Sequence, residues 1–163
     1  MERYCCRKHT NRKDHRVFAW HINKLSKNVT LGITIENRSK TNTLEIRDLK
    51  GVHKTSQNTG YEHDIGLPIA ESLLGNRLLN KSLVTNKILP GQTIILTSYQ
   101  MNVNDTLGLL HDFTVVKNRG TGPMDYVIRT VVSGVEGYDL PNIKSNPVPL
   151  DLKNAHARGV WPS

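Results

Sequence analysis

Between Asn28 and Asn37 the chain alternates strictly, with apolar Val29, Leu31, Ile33 and Ile35 separated by Thr30, Gly32, Thr34 and Glu36. A strand turns successive side chains to opposite faces, so the pattern predicts one face in a core and the other in water. Residues 16–23 predict an earlier strand with Phe18, Trp20 and Ile22 on one face and His21 out of phase, facing solvent or a second interface. The polar link 24–28 suits a hairpin that pairs these two strands. The same signature recurs at 43–49, 92–99, 107–116 and 125–133, with turn residues between, among them Pro90-Gly91 and Gly122-Pro123.

Strands at this spacing predict an all-β fold, an antiparallel β-sandwich of jelly-roll or Ig-like type. Its core is expected to hold Val29, Leu31, Ile33, Ile35, Leu109 and Phe113. One segment breaks the period. Pro68 stands near a helix start, Gly75 near a helix end, and Ile69, Leu73 and Leu74 share one side. This predicts a short helix near 68–75 that caps the sheet edge or the barrel mouth.

Charge then divides the chain. The net charge is +8, and Arg3, Arg7, Lys8, Arg12, Lys13 and Arg16, against Glu2 and Asp14, place half of it in residues 1–16. These six cations are the candidate polyanion-binding residues, because neutralising phosphates releases counterions. Residues 1–15 read as a basic disordered leader, so that deleting 1–16 would leave thermal stability almost unchanged, and 16–134 as the sandwich domain. Residues 135–163 hold four of the seven prolines and read as an extended tail, ending at Trp161-Pro-Ser163 as an interrupted chain would. With 37% hydrophobic and 22% charged residues and no apolar run near a membrane span or signal peptide, the composition is that of a globular domain.

No constellation announces chemistry. Cys5 and Cys6 are adjacent and cannot staple the fold, and with His9 and His15 they lack paired zinc spacing. His53, His63, Asp64, His111 and Asp112 could gather around a metal on a β-barrel, but the cupin-like His-x-His is absent. His111 falls in phase with Leu107, Leu109, Phe113 and Val115, which marks it as a hydrogen-bonded core residue. There is no Gly-x-Ser-x-Gly elbow and no phosphate loop, and Glu71 and Asp112 form an acid–base pair only if folding happens to join them. No catalytic, cofactor-binding or metal-ligating residue is assigned.

The segments 16–23, Gly32 to Asn37, Leu89-Pro-Gly91, His111-Asp-Phe-Thr114 and His156 to Pro162 together resemble a β-domain module of secreted and cell-surface proteins of Gram-positive bacteria. The resemblance spans 16–163 and implies an extracellular or cell-envelope location and a non-catalytic binding or structural module of a larger protein. A protein or a cell-wall polymer is then the expected partner, and no cofactor is expected. Two alternatives stand beside it: a coat-like or non-specific nucleic-acid-binding protein using the basic arm, and a metal-dependent enzyme.

Overall fold

A computed structural model describes residues 3–8, 11–58, 62–134, 139–144 and 159–162. Among these residues ten strands occur in chain order: β1 (Arg3–Lys8), β2 (Arg12–Ile22), β3 (Val29–Asn37), β4 (Thr43–Ser56), β5 (Leu79–Asn80), β6 (Lys87–Ile88), β7 (Thr93–Met101), β8 (Thr106–Arg119), β9 (Met124–Ser133) and β10 (Gly159–Pro162). A π-helical turn (Glu62–Gly66) runs into helix α1 (Leu67–Leu74), and a 3₁₀ turn covers Leu140–Asn142.

The strands form two antiparallel sheets, ordered β1-β9-β3-β7 and β10-β2-β8-β4-β5, with β6 also on β4. The pairing is nested: β1 with β9, β2 with β8, β3 with β7, β4 with β5 and β6. From β1 to β4 each connection changes sheet. This is a long antiparallel ribbon wound on itself, the arrangement of a jelly roll, and it settles the choice left open between jelly-roll and Ig-like.

The alternation of β3 places its residues as expected. Leu31, Ile33 and Ile35 are fully buried, Val29 nearly so, and they meet Leu109 and Phe113 from the opposing sheet in one core cluster. Most of the polar face of β3, however, is withdrawn from water, and only Glu36 is partly exposed. Thr30 and Thr34 are buried as well. A Cβ on Gly32 would press on Leu140 of the 3₁₀ turn, so that turn seats directly against the sheet at a position where no side chain stands.

Two further expectations are corrected. The strand from Phe18 pairs not with β3 but with β8, in the other sheet, because the link after Ile22 crosses the sandwich instead of folding back as a hairpin. Nor is the stretch 1–15 simply a leader. Arg3–Lys8 pairs with β9 and β2 begins at Arg12, so deleting this region would remove an edge strand and part of a central one. In the tail, Gly159–Pro162 pairs with β2, where the proline ends an edge strand that does not need its missing N–H. Residues 135–138 and 145–158 lie outside the described residues.

The helix forms where expected, with Pro68 in its first turn and the Gly75 N–H on the Glu71 carbonyl at 2.9 Å. It caps neither an edge nor a mouth. Ile65 and Ile69 pack with Leu110, Phe18 and Trp20 in a second cluster on the outer face of the β2–β8–β4 sheet. Phe18 and Trp20 therefore do share an apolar face, while Val17 and Ala19 point into the main core. Leu74 is 86% exposed and contributes nothing to either cluster. Gly108 allows the approach, since a Cβ there would run into Ile65 and Ile69.

Phe113→Ala, which empties the centre of the inter-sheet core, is expected to cost about 3–5 kcal/mol in urea unfolding, whereas Leu74→Ala should stay within about 0.5 kcal/mol.

Candidate functional site

Two histidines buried in the sandwich pair with tyrosines across the sheets. His15 on β2 lies 2.6 Å through Nε2 from the Tyr126 hydroxyl on β9. His111 on β8 lies 2.9 Å through Nε2 from the Tyr99 hydroxyl on β7. Both histidines are buried, and burial pushes each down to about 4, so both are neutral at pH 7.

The second pair leads outward. The exposed His53 on β4 stacks on Tyr99 with ring centroids 4.0 Å apart, and the half-buried Tyr99 connects it to fully buried His111. Burial and the charges of Lys81 and Lys54 hold the His53 imidazole below its ordinary range. His111 fits because it stands opposite Gly51 on β4, where a Cβ would strike the imidazole ring. Its Nδ1 has no hydrogen-bond partner. The cluster thus lies between β7, an edge strand of one sheet, and the part of β4 beyond its pairing with β5 at Lys50 and Gly51.

Of the five residues considered for a metal, only His53 and His111 come together. Asp112 points to the other face of β8 and binds Arg16 bidentately, at 2.7 and 2.8 Å. Asp64 accepts hydrogen bonds from Ser56 at 2.6 Å and Asn58 at 2.9 Å, and His63 is exposed. Among the described residues no group of three or more His, Cys, Asp or Glu side chains could hold a metal ion. Glu71 lies exposed on α1 and Asp112 is engaged by Arg16, so nothing joins them as acid and base.

The six candidate polyanion-binding cations are divided. Arg16 is committed to Asp112, and Arg12 lies 3.2 Å from Asp14, which also accepts from Thr114. On the same outer face Arg47 pairs with Glu45 at 3.0 Å. Cations and carboxylates alternate there, and the face is no uniform basic surface. Lys13 is half-buried. Arg3, Arg7 and Lys8 belong to edge strand β1.

Two features were not foreseen in the sequence. Arg129 is almost wholly buried on the outer face of the β9–β3 pair and binds Glu36 at 2.6 Å, and Glu36 also takes Lys144 at 2.9 Å. The register of β9 against β3 sets Arg129 beside Thr34, a pairing of residues far apart in the chain. The other is a groove of ≈ 620 Å³ open to solvent beside β4, lined by Glu45, Arg47, Asp48, Lys81, Ser82 and Asn86. Asp48, at φ +55°, marks the bulge that makes it. The Asp-Leu-Lys stretch carries no local signal of a bulge except an aspartate, which tolerates that conformation.

No family model, curated protein or solved structure matches the chain. No helix among the described residues is long and apolar enough to cross a membrane.

Because His15 and His111 bind protons more weakly in the fold than when unfolded, the unfolded chain holds more protons between about pH 4 and 6.5. Their stabilisation is complete above pH 6.5 and is lost as pH falls toward 4, up to about 3 kcal/mol for each. Urea midpoints across that window check this, and His111→Gln should flatten the slope. Tyr99→Phe, which leaves the His111 Nε2 without a partner, should cost about 1–3 kcal/mol at pH 7.

Proposed function

We propose that this chain is a non-catalytic binding module, the role implied by its resemblance to Gram-positive cell-surface β-domains, and that it belongs to a larger surface or secreted protein. The observation that carries the reading is the edge of β7, which among the described residues has β3 as its single strand neighbour and no ionised side chain along Thr93–Met101. An open strand edge offers main-chain donors and acceptors to an added strand. The charged residues on the outer sheet face pair with one another, and the buried histidines pair with tyrosines, which suits a scaffold better than a reaction centre.

The experiment is a binding screen of the full chain against soluble glycans, cell-wall polymers, protein partners and nucleic acid at low and high salt. Binding to a neutral partner that persists at high salt and protects β7 amides from hydrogen exchange is expected. Reproducible turnover of any substrate that is lost in Asp112→Asn would overturn the non-enzyme reading. For nucleic acid, Arg12 and Arg16 are already held by carboxylates. Four cations of the six then remain, so log K against log salt on duplex DNA should slope no more steeply than about −4.

A further inference from the structure

Among the described residues each sheet has two edges, and three of the four are guarded in ways that discourage a further strand. Edge strand β1 carries Arg3, Arg7 and Lys8 in six residues. On the other sheet β10 ends in Pro162, and the opposite edge consists of the two-residue strands β5 and β6. Charge, proline and short length are the usual means of blocking edge-to-edge pairing. Among the described residues the β7 edge shows none of them, being nine residues long, Thr-Ile-Ile-Leu-Thr-Ser-Tyr-Gln-Met, without proline or any Lys, Arg, Asp or Glu, with the Leu140–Asn142 turn packed beside the strand. Its one irregularity is a register shift against β3 between the pairs Ile33–Thr97 and Thr34–Ile95. Beyond the shift, Thr97–Met101 pairs regularly with β3, and the midpoint of that stretch is Tyr99.

From this we infer that β7 is a self-association edge, on which a second copy of the chain adds its own β7 antiparallel about a two-fold axis at Tyr99. The inference rests on reading the chain as a binding module and names the occupant of its open edge. Two-fold pairing requires the strand to complement itself, and about Tyr99 it does. Exposed Ser98 stands opposite Gln100 of the second copy, hydroxyl against amide, on the polar face that these residues share with Gly32 and Thr30. Thr97 stands opposite buried Met101, and Tyr99, already bonded to His111 and stacked on His53, lies on the axis opposite its own counterpart. No like charges meet along the contact, although the chain carries +8. A charged foreign segment would find no ionic partner on β7, so the identical neutral strand is the better fit. Pairing joins the two β1-β9-β3-β7 sheets into one of eight strands, with the basic β1 edges at its far ends.

The test uses three full-length proteins and sedimentation equilibrium up to about 1 mM, the weak limit of specific association. The native chain should show a monomer–dimer equilibrium, with β7 amides more protected from hydrogen exchange as concentration rises. Ser98→Lys with Gln100→Lys sets cations opposite one another across the axis and should be monomeric throughout. Ser98→Lys with Gln100→Glu sets opposite charges across it and should restore the dimer. Both positions are exposed, and matching circular dichroism and melting temperatures establish that the variants fold. A native chain that stays monomeric, or a dimer that the double lysine leaves intact, overturns the self-association. Either result leaves the module reading to the ligand screen, since a foreign strand that protects β7 in a monomeric chain supports the module with a different occupant.

Discussion

The whole architecture hangs on carrying the main chain across the gap between two sheets without leaving its polar groups unpaired. Packed sheets lie about 10 Å apart, and a buried N–H or C=O without a partner costs about as much as a lost hydrogen bond. Two buried asparagines meet this demand at the loops. The Asn37 side chain donates to the carbonyls of Asn42 at 2.7 Å and Ile88 at 3.0 Å and accepts from the Ser39 N–H, while its main chain bonds Gly91 and Gln92. Asn23 donates to the carbonyls of Lys27, Met101 and Asn102 and accepts from the Leu25 N–H. Each joins a connection leaving one sheet to chain entering the other, so the nested pairing and the loop geometry fix one another.

Within that frame the histidine–tyrosine bridges and the apolar core have different tasks. Leu31, Ile33, Ile35, Leu109 and Phe113 supply burial, which is favourable in almost any arrangement that excludes water. His15–Tyr126 and His111–Tyr99 add direction. A hydrogen bond in a low-dielectric interior tolerates little displacement, and the two bridges tie β2 to β9 and β8 to β7, setting how one sheet lies over the other. Specificity of this kind is bought with sensitivity to acid, because neither imidazole can take a proton without losing its present environment.

How much of this was legible in the sequence depends on which face of a strand is asked about. Alternation in β3 and β8 revealed the core, and proline followed by glycine marked α1, because both signals are local. Pairing was not legible in the same way. A short polar link between two strands suits a hairpin and a sheet crossing equally, and only the distant partner, β8, decides between them. The basic residues of 1–16 looked alike in sequence, yet Arg16 faces Asp112 across β2 and β8 and Arg3 is on β1, a division that follows from register alone. The burial of this face of β3 was hidden for a similar reason, since Leu140, which seats over Gly32, lies more than a hundred residues away, and Arg129 stands beside Thr34 only through the register of β9.

The pairing of β1 with β9 has a consequence for synthesis. Cys5 meets Val127 in the finished sheet, so during translation the first strand emerges long before its partner exists. Every nested pair shares this delay to a degree, and loop closure over such distances makes folding slow. An unpaired strand waiting on the ribosome is open to pairing with its counterparts on neighbouring nascent chains. Arg3, Arg7 and Lys8 make that waiting strand repel copies of itself, so the same charges that suggested a nucleic-acid arm are equally suited to keeping the unfinished chain apart from its siblings.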